Sequence, residues 1–181
     1  HTVERATELA NQMLALAKVE QLRLQGDAPV TDWAPVVREV ALDLSALIAD
    51  KALDFEIATE PAPVRAHEWA LRELTRNLLH NALKHAPAGT ALSVRLSLAG
   101  GTAMLRVSDS GPGIGDELRQ RLFQPFSAGT SSPGGSGLGL AICREIVHSL
   151  GGSIALDNRG LHDQVVGLEA SVRLPLADNR A

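Results

Sequence analysis

The sequence predicts a two-layer α/β sandwich, a mixed and mostly antiparallel sheet packed against helices, with an N-terminal helical segment in front of it. Three observations lead there. Long stretches with apolar residues at helical spacing are interleaved with shorter ones whose apolar residues recur at every second position. Two of the alternating stretches are joined only by Ala99-Gly100-Gly101, a hairpin connection that pairs them antiparallel. Helices mixed with paired strands bury their apolar faces by stacking as layers.

The 181 residues suffice for one sizeable core and a short appendage. Hydrophobic residues at 45% and charged residues at 21% describe an ordinary globular chain, and aromatics at 3% make the core aliphatic. The net charge of -4 offers no broad attraction to nucleic acid or to an anionic membrane, so neither is expected as a partner of this segment. The single cysteine, Cys143, cannot form an intrachain disulfide and has no metal-ligand neighbours at a recognisable spacing; it reads as a core residue in a reducing compartment. No apolar run approaches the roughly 20 residues that cross a bilayer, and no signal peptide is visible. A cytoplasmic location is expected, including that of the cytoplasmic portion of a membrane-anchored protein. The chain begins at His1, as a piece of a longer protein would.

From Thr2 to Leu24 there is no Gly or Pro, and Leu9, Met13, Leu16 and Val19 form the stripe of an amphipathic helix that needs a partner. Gly26 and Pro29 end it, and residues 25–32 read as a linker and a first strand. Residues 33–176 carry the main domain. Ala34 to Ala49 reads as one helix through Val37, Val40, Leu44 and Leu47, and Leu53 to Ala58 as a strand. A long helix follows from about His67 to His85. Leu92, Val94, Leu96 and Leu98 lie on one face of the next strand, and Leu105 and Val107 on one face of its hairpin partner. A short helix near Glu117 to Phe123, a polar stretch from Ser127 to Ser136 and a helix from about Leu138 to Leu150 come next. Strands around Ile154–Leu156 and Leu168–Leu174 close the domain, and residues 177–181 form a tail. Trp33 and Trp69 are expected to be partly buried.

Three constellations carry chemistry. On the helix from His67 to His85, with Glu73 at zero and about 100° per residue, Lys84, Asn77 and Asn81 fall at about 20°, 40° and 80°. Leu74, Leu78, Leu71 and Ala82 occupy the adjoining arc. A polar row is most often a solvated helix face. Two asparagines four residues apart nevertheless carry a propensity cost inside a helix, and a hard cation taking oxygen ligands would explain them.

The second constellation is Asp109-Ser110-Gly111-Pro112-Gly113-Ile114 at the end of a strand, where alternation turns Asp109 inward with Leu105 and Val107. An inward carboxylate must find donors. An adenine amino group would supply one, with Gly111 and Gly113 letting the backbone pass close to a flat ring; a plain strand-to-loop turn explains the hexapeptide equally well on its own. The third is Gly134-Gly135-Ser136-Gly137-Leu138-Gly139-Leu140 before a helix, where free N–H groups can hold phosphate oxygens. It lacks the lysine and hydroxyl of a P-loop, and a flexible linker is the competing reading.

Taken together, these segments resemble the histidine kinase catalytic domain. Asn77 to Ala82 is similar to its N box, Asp109 to Ile114 to its G1 box, Phe123-Gln124-Pro125-Phe126 to its F box, and Gly135 to Leu140 to its G2 box, all in family order. The resemblance implies a Bergerat-type site for ATP and Mg2+, shared with gyrase, MutL and heat-shock chaperone ATPases. On this chain it implies that Asn81 ligates magnesium, that Asn77 assists near the phosphates and Lys84 meets one, and that Asp109 recognises adenine. Gly111 and Gly113 would frame the base; Gly135, Gly137, Leu138 and Gly139 would frame the phosphates; Ser127 to Ser136 would be a mobile lid anchored by Phe123 and Phe126.

The ATPase relatives typically carry a water-activating glutamate where this chain has Asn77, which favours transfer to a protein over hydrolysis. The implied acceptor is a histidine on a dimerisation helix. Residues 1–24 resemble the end of the second helix of that module, and His1 lacks the acidic residue and proline expected around the acceptor. A homodimer in the full-length protein and a cognate response regulator are the implied partners. The lid segment has no charged residue, a departure from relatives that aim a cation at the γ-phosphate. The competing functions are a Bergerat ATPase or anti-sigma-type serine kinase, and a non-catalytic module that binds nucleotide and dimerises.

Overall fold

The computed structural model describes residues 2–22, 27–121, 123–124, 139–161 and 164–178. Among the described residues, helices α1 (Thr2–Leu22), α2 (Trp33–Asp43), α3 (Ser45–Asp50), α4 (Glu68–His85), α5 (Asp116–Arg121) and α6 (Gly139–Ser149) combine with seven strands. These are β1 (Val30–Asp32), β2 (Asp54–Thr59), β3 (Pro63–Arg65), β4 (Ala91–Ala99), β5 (Thr102–Asp109), β6 (Ser153–Leu161) and β7 (Gln164–Pro175).

The main sheet runs β2-β4-β5-β7-β6, with β2 parallel to β4 and every other pair antiparallel. Its inner face is aliphatic: Leu92, Val94 and Leu96 of β4, Leu105 and Val107 of β5, and Leu168, Ala170, Val172 and Leu174 of β7 are all buried. Against it lie Val36, Val37 and Val40 of α2, Leu71, Leu74 and Leu78 of α4, and Ile142 and Ile146 of α6, in one continuous core. The opposite face carries Ser93, Arg95 and Arg106. One covered face and one polar face are what period-two alternation demands of an antiparallel sheet, and they make the two layers expected from the sequence.

The β4–β5 hairpin closes as the sequence predicts. Ala99 pairs with Thr102 across Gly100 and Gly101, both at positive φ (55° and 80°), the two-residue turn whose twist matches that of the strands.

Two elements differ from expectation. Residues Ala34 to Ala49 do not form one helix: Leu44, at φ −98° and ψ 7°, leaves the helical region and separates α2 from α3. The break lets Leu44 and Ile48 both enter the core and turns Leu47, which the uninterrupted stripe would have buried, to the exposed side. Strand β3, only three residues long, is too short to show alternation, yet it pairs with β1 in a separate two-stranded sheet. Asp32 fastens that corner, accepting hydrogen bonds from Ala34 N as the cap of α2 and from Ala62 N.

Trp33 is 0% exposed rather than partly buried, while Trp69 is exposed, at 37%. Burial of the Trp33 ring is possible because its Nε1–H donates to Thr75 Oγ1 at 3.0 Å, and the Thr75 hydroxyl donates in turn to Leu71 O at 2.7 Å. Helix α1 packs on α6 through Val19, with Leu9, Leu16 and Leu22 beside it. Met13, the fourth member of the predicted stripe, is 53% exposed, next to Leu14 at 62%.

Trp33→Ala should cost about 3–5 kcal/mol of unfolding free energy, whereas Leu42→Ala, at a side chain 72% exposed, should stay within about 0.5 kcal/mol. Urea denaturation followed by circular dichroism measures both.

Candidate functional site

Helix α4 is the spine of the site. Its apolar positions Leu71, Leu74, Leu78 and Ala82 are buried against the sheet, and the arc beside them carries Glu73, Asn77, Asn81 and Lys84, each half-buried, as the angular spacing requires. The helix ends at His85 because Ala86 precedes Pro87 and turns extended. Its last carbonyls are collected by one cation: Lys51 Nζ donates to Leu83 O, to Ala86 O at 2.9 Å and to Lys84 O at 3.3 Å. Nothing in the sequence pointed to Lys51, since the partner lies more than 30 residues away.

On the polar arc, the Asn77 amide donates to Glu73 O at 2.8 Å and to Glu73 Oε1 at 3.2 Å. This fixes the amide, turning its oxygen toward Gly139, where a Cβ would stand 3.2 Å from Oδ1. The side chains of Asn81 and Lys84 make no hydrogen bond or ion pair among the described residues, which leaves an amide oxygen and an ammonium open to a ligand.

Asp109, the last residue of β5, is 3% exposed. Its Oδ1 accepts from Gly111 N at 2.8 Å and from Leu168 N at 3.2 Å, so the carboxylate continues the β5–β7 ladder where the backbone departs. Within the described residues Oδ2 has no partner. A buried carboxylate with two donors on one oxygen and none on the other has that second oxygen to offer as an acceptor.

The backbone around Asp109 is gripped from both sides. Its carbonyl accepts from Arg159 Nη1 at 2.7 Å, and a Cβ on Gly167 would come within 2.0 Å of the same oxygen. A Cβ on Gly111 would lie 2.9 Å from His85 O, and one on Gly113, at φ 72°, would lie 2.5 Å from both Asn158 Oδ1 and Val165 Cγ1. The glycines of this loop are therefore required by close approach of the protein itself, a reason that the sequence did not disclose.

The arrangement along α4 is linear. Gly111 meets the helix at His85 and Gly139 meets it at Asn77, eight residues apart, or about 12 Å at 1.5 Å per residue. Asn81 and Lys84 lie between. Gly135, Gly137, Leu138, the segment Ser127–Ser136, and Pro125 and Phe126 lie outside the described residues; Phe123 packs half-buried against the core.

At the rim, partial desolvation lowers the pKa of His85, with neighbouring Lys84 acting in the same sense and Asp109 against it, so the imidazole is mostly neutral at pH 7. Cys143 is fully buried, its thiol pKa raised by burial and its Sγ 3.7 Å from Leu74 O, in keeping with a core role. Clefts among the described residues adjoin the loop and the helix separately. One of about 670 Å³ lies beside the loop, lined by Ile114, Arg119, Asp157, Asn158 and Val165 among others. Another, about 470 Å³, lies between α1 and α4 and reaches Glu73, Asn77 and His80.

On one edge of this α/β sandwich, α4 thus presents the Asn81 amide and the Lys84 ammonium, without partners among the described residues, in line with the buried Asp109 carboxylate beyond its C-terminal end. The chain matches the model for histidine kinase-, DNA gyrase B- and HSP90-like ATPases over residues 66–178, and it belongs to that family. It is 38% identical over 181 residues to the sensor protein kinase PmrB of Pseudomonas aeruginosa, covering 96% of this chain and 36% of that protein. It is 31% identical over 177 residues to the probable sensor histidine kinase TcrY of Mycobacterium tuberculosis, covering 96% and 36%. The chain thus spans about a third of the length of these relatives.

Among solved structures, the mycobacterial sensor histidine kinase MprB matches at 31% identity and a TM-score of 0.71, covering 82% of this chain and 97% of that one. Full-length ShkA in complex with AMPPNP matches at 26% identity and a TM-score of 0.79, covering 96% and 36%. The fold is that of a histidine kinase catalytic, ATP-binding domain, and the expectation of an α/β sandwich with an N-terminal helix holds.

Gly167→Ala should lower stability by about 1–3 kcal/mol, because its Cβ would overlap the Asp109 carbonyl rather than a movable side chain. The urea midpoint reads this.

Proposed function

We propose that this chain binds ATP with magnesium and donates the γ-phosphate to a histidine on a dimerisation helix, as the catalytic part of a two-component sensor kinase. The observation that carries the reading is the Asp109 carboxylate: buried, held by two donors on Oδ1, with Oδ2, free of partners among the described residues, able to accept from the 6-amino group of adenine. The base would lie against the Gly111 loop at the C-terminal end of α4, and the phosphates would extend along the helix toward Asn77 and Gly139.

Among the described residues Asn81 offers an unpartnered amide oxygen, the donor type that magnesium accepts, and Lys84 an unpartnered ammonium for a phosphate oxygen. Magnesium, when bound, would neutralise phosphate charge. Gly135, Gly137, Leu138 and Gly139 would supply backbone N–H groups to the phosphates. Phosphoryl transfer asks the protein chiefly for position and charge, which these groups provide. Hydrolysis is the less favoured outcome, because the position four before Asn81 is an amide and the nearby Glu73 carboxylate already accepts from Asn77.

Residues 1–24 are assigned to the end of the dimerisation module, 25–32 to the linker and first strand, 33–176 to the catalytic domain and 177–181 to the tail. The exposed Met13 and Leu14 of α1 support the first assignment, since they leave an apolar edge for another helix while Leu16 and Val19 pack on the domain. A response regulator would take the phosphoryl group onward, and a homodimer would bring the acceptor to the site. No described helix is long and apolar enough to cross a membrane.

Asp109→Asn is a discriminating variant. With Oδ1 held by two N–H donors, the new NH2 must stand where Oδ2 stood and meet the adenine amino group donor to donor. Affinity for MgATP should fall at least about tenfold, and MgITP, whose 6-oxo group accepts, should lose less. Titration calorimetry measures both ligands, and an unchanged ATP affinity would remove Asp109 from recognition. With γ-labelled ATP and a separately produced acceptor module, an acid-labile phosphoprotein is expected; an acid-stable one would indicate a serine kinase.

A further inference from the structure

We propose that Asn158 is a positioning residue for the adenine carboxylate, acting through the loop that follows β5. The inference rests on the nucleotide reading above and adds to it a residue on the far strand of the sheet, outside all four sequence boxes.

The Asn158 side chain binds one residue of the loop twice. Its Oδ1 accepts from Ile114 N at 2.9 Å and its Nδ2 donates to Ile114 O at 2.7 Å. A primary amide facing a backbone N–H and C=O in this way replaces one rung of a β-ladder, so the loop is docked on β6 as though it were a further strand at that single position. The pairing needs both functions of the amide, acceptor and donor. Aspartate lacks the donor, and no other side chain of this size supplies both on a planar group.

The neighbouring contacts share its purpose. Gly113 runs so close to Asn158 and Val165 that a Cβ would lie 2.5 Å from each, and Arg159, the next residue of β6, donates to the Asp109 carbonyl. The loop from Asp109 to Ile114 is therefore held at its start by Arg159 and at its end by Asn158. Between these anchors, Gly111 N is one of the two donors that fix Asp109 Oδ1. Releasing the Ile114 end frees Gly111 N to move, and with it the orientation of the carboxylate. Displacements of about 1 Å at a recognition group are costly even when no ligand contact is removed.

Asn158 itself lines the cleft on the outer side of the loop, with Asp157, Arg159 and Gly160. Its substitution therefore perturbs the loop from behind, without altering any residue assigned to the ligand. This separates it from a ligand-contacting group. A change at Asn158 should act on discrimination between bases, which depends on carboxylate orientation, more than on the phosphate contacts along α4.

The test uses the 181-residue chain and two nucleotides, MgATP and MgITP, by titration calorimetry. The wild type should prefer ATP. Asn158→Asp, nearly the same size but without the donor, should weaken ATP binding about tenfold and ITP binding much less, so that the preference shrinks toward one. Asn158→Ala should do the same, and serves alone if the aspartate variant does not fold. Asp157→Asn, an exposed neighbour on the same strand, should keep the wild-type preference. Equal weakening of both nucleotides would reduce Asn158 to a stability role and overturn the proposal, as would unchanged ATP binding. Failure of the wild type itself to bind ATP would instead overturn the nucleotide reading, and this inference with it.

Discussion

Everything at the ligand-facing edge of this domain depends on a strand that ends in a buried carboxylate. At Asp109 the backbone of β5 leaves its partner β7, and the side chain takes over the next ladder position by accepting from Leu168 N. Burial of an ion is tolerable there because Gly111 N supplies a second donor to the same oxygen. The consequence is directional. Satisfying Oδ1 from inside the protein leaves Oδ2 as the open acceptor among the described residues, and the surrounding glycines follow from how tightly the carboxylate's own backbone is enclosed.

Helix α4 converts that point into a line. Its buried stripe fixes the rotation of the helix on the sheet, which in turn decides that Asn77, Asn81 and Lys84 lie along one edge. Its axial position is fixed by Lys51, whose ammonium gathers the final carbonyls, and by contact of Gly111 with His85 O. A helix that slid by one residue would rotate by about 100° and carry its asparagines into the sheet or into solvent. The core and the site are thus a single packing problem, solved by the same leucines.

The sequence disclosed this much because helical angle and strand alternation are local properties. The polar arc of α4, the inward turn of Asp109 and the Gly100-Gly101 hairpin could each be derived from residues within one element, and each is found. What escaped was contact between distant segments. Lys51 on the end of α4, Asn158 on Ile114 and Arg159 on Asp109 join residues 30 to 50 positions apart, and no spacing rule links them. The Leu44 break escaped for a related reason: the stripe from Val37 to Leu47 is consistent as a helix, and only packing reveals that Ile48, not Leu47, must be buried. The depth of Trp33 depends on a hydroxyl 42 residues away, which no local pattern reveals.

Helix α1 packs against the catalytic domain over part of its length. Its C-terminal half is held to α6 by Leu16, Val19 and Leu22, while residues Val3 to Gln12 line a polar cleft against Glu73, Asn77 and His80. The helix therefore approaches α4 at Asn77, at the end of the polar arc opposite to Asp109. If the base lies at Asp109, the phosphates extend toward the side on which α1 runs, and the terminal phosphate comes to lie nearest the helical segment. Under the nucleotide reading proposed above, the order of residues along this one helix would set the base at the Asp109 end and the reactive end toward α1.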